Sequence, residues 1–245
     1  MGATVEEAVA RIEFLVNNRR SVGSLIGPSG VGKSTVLRHC HNHPPVCAEV
    51  PNLQILRVSM MGLQAGELVH RLAGWLSGGL RADDYWADWK SVCDYFRAAQ
   101  REDLHTVLLI DDTESCNAAA EADLCRLLSM NFPLTVIFSV ETQLASAVSR
   151  SLIDRVELQV ELPPWDYSQT TDYLMWVGRH LGRSEPIFSE SAVQRIYQLS
   201  GGIVRRISQL SDLALVAAAV SQSNYVDAGC IDQVAWELPK SFSAA

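Results

Sequence analysis

The chain has 245 residues, 48% of them apolar and 20% charged, which is enough for one large domain or for a core domain with a smaller one. Its formal net charge of −8 argues against a broad surface for nucleic-acid phosphates, because such a surface needs clustered Lys and Arg. We expect a cytoplasmic protein with reduced thiols, because the first residues do not form a secretory leader, no apolar stretch approaches the ~20 residues that span a bilayer, and the six cysteines include no CxxC pair.

A glycine-rich segment near the amino terminus carries the clearest chemical signal. Residues 27–34 read GPSGVGKS, which is the pattern G-x-x-x-x-G-K-[ST]. The apolar run 21–26 before it predicts a strand, and the residues from Lys33 onward predict a helix, which is the order required for a P-loop. We therefore predict a phosphate cradle formed by Gly27, Pro28, Ser29, Gly30, Val31, Gly32, Lys33, Ser34 and Thr35.

The chemistry of this cradle follows from its residue types. Glycines let successive backbone N–H groups point at one anion, and the helix N-terminus adds partial positive charge. We expect Lys33 to reach the β- and γ-phosphates of a nucleotide, Ser34 to ligate Mg²⁺ and Thr35 to contact the α-phosphate.

The segment after this helix, HCHNHPPVC, places five potential metal ligands between His39 and Cys47. It lacks the paired spacing of zinc sites, and Pro44-Pro45 interrupts it. We interpret it as a helix end that runs into a loop, with a zinc site as the alternative.

Four further apolar runs predict the rest of a parallel sheet. They span residues 55–60, 105–110, 134–139 and 155–162. Asp111 follows the third predicted strand, and open α/β sheets bind ligands at the carboxyl ends of their strands. We therefore expect Asp111 to hold Mg²⁺ together with Ser34, in a three-layer αβα P-loop core with a five-stranded parallel sheet.

An aromatic stripe precedes the third strand. Trp86, Trp89, Cys93 and Phe96 recur at helical spacing, which predicts a helix that packs this stripe against the core. The alternative interpretation is that this stripe forms a surface that binds a partner protein.

The second half of the chain has a different character. Pro163 and Pro164 end the fifth predicted strand and predict a boundary between a core domain at 1–163 and a helical lid domain at 164–245. Four helices are predicted beyond this boundary, and Ser168 is expected to cap the first of them.

Taken with the strand order, these motifs resemble the AAA+ branch of the P-loop ATPases. GTPases need an N/T-K-x-D guanine reader, which this sequence lacks. Nearly the whole chain is similar to the ExeA-like AAA ATPases, the family named after general secretion pathway protein A. The segments that carry the resemblance read EEAVARIEFLVNNRRSVGSLIGPSGVGKSTVL, VLLIDDTE, TVIFSVETQL, DRVELQVELPPWDYSQTTDYL and LSGGIVRRISQLSDLALVAA.

The resemblance implies roles for residues outside the P-loop. Ser139 would sense the γ-phosphate. Arg155 would act as an arginine finger on a neighbouring subunit, with Arg150 as second choice. Arg205 would be the lid sensor, with Arg206 behind it.

The residue that orients the attacking water is a separate question. Asp112 occupies the place where many such ATPases carry Glu, and its carboxylate stops ~1.5 Å short of a Glu carboxylate. We assign the water to Asp112, with Glu114 and Glu141 as alternatives.

The implied function is an ATP-binding AAA+ ATPase that turns over slowly. It would use ATP/ADP and Mg²⁺, assemble into a ring or filament with a shared ATP site, and regulate an unidentified protein partner. One alternative is a signalling-type binding switch with little turnover. Another is a DNA-handling ATPase of the MuB or TniB transposition type, although the acidic charge disfavours direct DNA binding outside an assembled state. A P-loop kinase is disfavoured, because nothing resembles an acceptor site.

Overall fold

The computed structural model describes residues 3–44, 50, 52–76, 84–183 and 185–238. Within these residues, five strands form one parallel sheet in the order β2-β3-β4-β1-β5. The strands are β1 (Val22–Gly27), β2 (Leu53–Ser59), β3 (His105–Asp111), β4 (Leu134–Glu141) and β5 (Leu158–Glu161). The predicted five-stranded parallel sheet is confirmed.

Helices surround the sheet. They are α1 (Ala3–Asn17), α2 (Lys33–Asn42), α3 (Glu67–Leu76), α4 (Tyr85–Arg101), α5 (Ala118–Leu128) and α6 (Arg150–Ile153), with short 3-10 helices at Thr113–Ser115 and Thr142–Ala147. Taken over the described part of the chain, none of the helices is both long and apolar enough to cross a membrane.

The burial pattern of β3 shows that both faces of the sheet are covered. All seven of its residues are buried. Leu108 and Ile110 join a core cluster with residues from α3, α4 and α5. Val107 and Leu109 are equally buried but lie outside that cluster, as expected when successive side chains point to opposite faces. Helices α1 and α2 contact the strands and supply the second layer, which completes the three-layer αβα core.

The aromatic stripe lies on α4 and is only partly buried. Trp89 and Phe96 are buried in the core, and Cys93 packs against it. Trp86 is 63% exposed, with the guanidinium of Arg126 over its ring at 5.4 Å. The packing prediction therefore holds from Trp89 onward.

The fifth strand is shorter than predicted. It begins at Leu158 rather than at Arg155. The amide of Arg155 donates to the carbonyl of Leu152 at 3.2 Å, and the amide of Val156 donates to the carbonyl of Ile153 at 3.0 Å. These bonds extend the end of α6 into a turn, which keeps Arg155 out of the strand.

The described chain divides into two compact units. One contains residues 3–27 and 33–162, and the other contains residues 28–32 and the chain from Pro163 onward. The second unit holds the four helices α7 (Tyr167–His180), α8 (Glu190–Ser200), α9 (Val204–Val220) and α10 (Ala228–Ala235). The predicted helical carboxyl-terminal region is thus confirmed.

The cap of α7 differs from the prediction. Asp166 accepts the amide of Gln169 at 2.7 Å, and the Gln169 side chain accepts the amide of Asp166, which forms a capping box. Ser168 lies inside the helix, so its assignment as the cap was wrong. The competing signal was an Asp three residues before a Gln.

Candidate functional site

The P-loop connects β1 to α2. Gly30 and Gly32 have φ angles of +79° and +109°, a region that side-chain-bearing residues rarely adopt. A Cβ added at Gly32 would meet no atom within 4 Å, so the backbone conformation, rather than crowding, requires glycine there. The Nζ atom of Lys33 donates to the carbonyl of Gly27 at 2.8 Å, which brings the ammonium back to the start of the loop. These features fit a cradle for an anionic phosphate.

Asp111 ends β3 and is 3% exposed. Its Oδ1 atom accepts the hydroxyl of Ser139 at 2.6 Å, and its Oδ2 atom accepts a guanidinium N–H of Arg57 at 3.2 Å. The sheet register pairs Asp111 with Ser59 on β2, and pairs Ser139 on β4 with Leu25 on β1. The structure therefore brings the predicted residues Asp111 and Ser139 into direct contact.

Strand alternation shows on which face this contact lies. Leu25 and Leu109 share the orientation of Ser139 and Asp111, and both are buried outside the cluster formed with α3 to α5. Helix α2 contacts β1, β2 and β3. Asp111 and Ser139 thus point to the face of the sheet that carries α2, whose first two residues are Lys33 and Ser34. Carboxylate and hydroxyl oxygens on this face match the ligand preference of Mg²⁺.

Asp112 adopts a left-handed conformation, with φ 55° and ψ 43°. Its amide donates to Oγ of Ser139 at 3.3 Å, and its Oδ2 atom accepts the hydroxyl of Ser59 at 3.0 Å. Ser59 ends β2, and β2 flanks β3 on the side away from β4 and β1. The Asp112 carboxylate is therefore held on the side of β3 opposite the P-loop strand.

The alternative carboxylates lie on two elements: Glu141 ends β4, and Glu114 lies in the 3-10 helix that follows β3. The amide of Glu141 donates to Oε1 of Glu114 at 3.2 Å, and Glu141 is in register with Gly27 of β1. The Oε2 atom of Glu114 is shut off from solvent and, among the residues that the structure describes, has no hydrogen-bond partner. In this arrangement Glu114 braces the end of β4 through Oε1, and its Oε2 atom is buried.

Arg155 and Arg150 are exposed at the two ends of the short α6 region. The guanidinium of Arg155 donates a hydrogen bond to the hydroxyl of Ser129 at 2.9 Å. Ser129 is the C-cap residue of α5. Its exposure leaves Arg155 accessible to another molecule, and the hydrogen bond to Ser129 helps to direct its guanidinium.

Arg205 lies in the first turn of α9, within the second unit. Its backbone amide donates to the carbonyl of Gly30 at 3.0 Å. A Cβ added at Gly30 would lie 3.0 Å from Cβ of Arg205 and from Cγ2 of Ile203, so this contact also needs the small residue.

Residues 39–44, the described part of the His39–Cys47 segment, form the end of a helix and the start of a loop. Helix α2 ends at Asn42, and the rings of His39 and His43 stack at 4.6 Å. Burial raises the pKa of the Cys40 thiol to about 11. In the described ranges, no group of three or more His, Cys, Asp or Glu side chains converges as metal ligands, and Cys47 lies outside those ranges.

Two polar residues of the site, Arg57 and Ser59, were not predicted from the sequence. Both lie on β2, two residues apart, and contact Asp111 and Asp112 respectively. The sequence does contain a signal for them. Two polar side chains, two positions apart as on one face of a strand, interrupt the apolar run ILRVSM near its carboxyl end.

Comparisons with known proteins agree with this architecture. Residues 16–148, more than half of the chain, match the sequence profile of the family described as AAA domain. General secretion pathway protein A of Aeromonas hydrophila is 30% identical over 99 residues, which are 40% of this chain and 18% of that protein's length.

Solved structures show the same fold. Cdc6p from Pyrobaculum aerophilum matches with a TM-score of 0.75 at 14% identity, over 97% of this chain and 68% of that one. ORC2 of Aeropyrum pernix, solved as ADPNP–ADP complexes, gives 0.70 at 13% identity, over 98% and 68%. The Holliday junction branch migration motor RuvB of Thermotoga maritima gives 0.65 at 16% identity, over 97% and 70%. The similarity to AAA ATPases that the sequence predicts is confirmed, and the chain belongs to the AAA domain family.

Proposed function

We propose that this chain binds ATP with Mg²⁺ and hydrolyses it slowly, in a site that a second subunit completes. One observation carries the proposal. The buried Asp111–Ser139 pair points to the face of the sheet that carries α2, and α2 begins with Lys33 and Ser34. A P-loop and an acidic strand end on one face of a parallel sheet supply the two halves of a site for a magnesium nucleotide.

In this proposal, different groups of the chain bind the phosphates, the metal and the γ-phosphate. The backbone amides of the loop bind phosphate, and Lys33 adds positive charge to the β- and γ-phosphates. Ser34 and Asp111 would hold Mg²⁺, and the ion would supply positive charge that neutralises the phosphate oxygens. Ser139 contacts the γ-phosphate from β4, the strand between β3 and β1. Arg205, in the first turn of α9, keeps the sensor role that the family resemblance implies.

Slow turnover follows from the position of Asp112. Its carboxylate is shorter than that of Glu and is bonded to Ser59 on the far side of β3. To orient a water at the γ-phosphate, Asp112 must leave Ser59, and it then still falls ~1.5 Å short of the reach of a Glu.

Asp112→Glu is expected to raise the rate of phosphate release by about 10²-fold without changing nucleotide affinity, because a positioning error of ~1 Å costs about that factor. Steady-state phosphate release and equilibrium nucleotide binding measure the two quantities separately. Ser59→Ala is the matched variant, since it releases the native Asp112 without lengthening it. An unchanged rate in Asp112→Glu would shift the role to Glu114 or Glu141.

Assembly is the second part of the proposal. Arg155 is exposed and directed by Ser129, as a residue that acts on a neighbouring subunit must be accessible. We expect the protein to form larger assemblies with a non-hydrolysable ATP analogue than with ADP, and the ATPase rate per subunit to climb with protein concentration. Light scattering after size exclusion and a rate series over a hundredfold concentration range measure both. A rate per subunit that is independent of concentration would contradict the shared site.

A binding switch is the second candidate function, and the Ser59–Asp112 hydrogen bond favours it. A carboxylate that stays on Ser59 leaves the water without an orienting group. The switch predicts nucleotide that stays bound through purification, with ATP-dependent assembly but negligible phosphate release at every concentration.

A further inference from the structure

A charge pair joins the ends of β2 and β3. The Nη2 atom of Arg57 lies 3.2 Å from Oδ2 of Asp111, and the exposed fractions of the two side chains are 33% and 4%. A carboxylate this far from water is costly unless an opposite charge accompanies it. Arg57 supplies that charge in the present structure.

The pairing is a loose one. An arginine fork can bind both oxygens of a carboxylate, but here one nitrogen meets one oxygen. The other oxygen takes the shorter bond from Ser139, at 2.6 Å. The Nε atom of Arg57 is out of solvent and, within the described ranges, has no hydrogen-bond partner. Arg57 therefore neutralises Asp111 without being locked to it.

We propose that Arg57 is a resident counter-ion of the Mg²⁺ site, which neutralises Asp111 in the nucleotide-free protein and yields that place to Mg²⁺ when the metal arrives with a nucleotide. The inference rests on the proposed ATP site. Two cations beside one carboxylate repel each other, so Arg57 lowers the affinity for Mg²⁺. Nucleotide phosphates add the negative charge that offsets this repulsion, which ties metal binding to nucleotide binding.

Arg57→Gln tests the charge directly, because it keeps an N–H donor for Asp111 and removes the positive charge. The probe is a fluorescent ADP analogue at saturating concentration, titrated with Mg²⁺. We expect the half-saturating Mg²⁺ concentration to fall about tenfold, since one adjacent charge shifts the cation affinity of a carboxylate by one or more powers of ten. The affinity for the analogue in the absence of Mg²⁺ should stay within about twofold of the wild type.

Two variants serve as controls. Arg57→Lys keeps the charge, and its Mg²⁺ dependence should stay near that of the wild type. Arg19→Gln removes one positive charge from another ion pair of the same unit, since Arg19 lies 2.8 Å from Asp103 just ahead of β3. Arg19→Gln should leave the titration unchanged, which separates the local charge from the net charge.

An unchanged Mg²⁺ titration in Arg57→Gln overturns the inference, and so does a loss of analogue affinity without Mg²⁺, which would place Arg57 on the phosphates instead. If Arg57→Gln fails to fold, Asp111→Asn should restore folding by removing the unpaired buried charge, and failure of that rescue also overturns it. A wild-type protein that binds no analogue would contradict the ATP site itself.

Discussion

Lys33→Ala is expected to weaken ATP binding by roughly 10²- to 10³-fold, because truncating one partner of a desolvated charge pair costs several kcal/mol. Lys33 lies at the first position of α2, and its ammonium already turns back to the carbonyl of Gly27. Equilibrium titration with a fluorescent ATP analogue measures the change, and thermal unfolding checks that the loop still supports the fold. Lys90→Ala is the matched control, since Lys90 is exposed on α4. Micromolar binding retained in Lys33→Ala would remove the basis of the site assignment.

Arg155→Ala is expected to lower the ATPase rate of the assembled protein by about 10³-fold and to leave nucleotide affinity nearly unchanged, because an arginine finger stabilises charge that develops during phosphoryl transfer. The rate must be measured at concentrations where the wild type is assembled. Arg150→Ala should have little effect if the choice between the two exposed arginines is right. Ser129→Ala removes the bond that directs Arg155, and it should reduce the rate less than the loss of the arginine does.

A mixing experiment separates a shared site from a site within one subunit. Lys33→Ala subunits keep Arg155, and Arg155→Ala subunits keep the P-loop. If the site is shared, mixing the two inactive variants should recover a fraction of the activity, because some interfaces then combine an intact P-loop with an intact arginine. No recovery in co-assembled mixtures would place Arg155 outside the site.

The parts of the fold that the sequence predicted well are those that depend on local pattern. β3 and β4 are continuous apolar runs, and the structure buries them on both faces. The P-loop is a contiguous motif whose glycines require their backbone angles. Local hydrogen bonds account for the boundary differences at α7 and at β5, where a capping box and a turn compete with the simpler interpretation.

The parts that could not be predicted depend on register. Arg57 meets Asp111 across 54 positions of sequence, and Ser59 meets Asp112 across 53. The pairing of β2 with β3 sets these contacts, and a shift of one residue would turn the polar side chains of β2 to the other face. The left-handed backbone of Asp112 is equally a product of its neighbours, since non-glycine residues seldom adopt it alone. The direction of the Asp112 carboxylate therefore could not be predicted from the sequence.

Ser139 has a single proton to give. In the present structure the Ser139 hydroxyl donates a hydrogen bond to Oδ1 of Asp111 at 2.6 Å, and Oγ of Ser139 accepts one from the amide of Asp112. A γ-phosphate that draws the hydroxyl toward itself must take it from Asp111, so the two bonds exclude each other. In the proposed ATP site the Ser139 hydroxyl would therefore have two alternative partners, Asp111 without ATP and the γ-phosphate with it. Oδ1 of Asp111 would lose this hydrogen bond whenever the hydroxyl turns to the nucleotide.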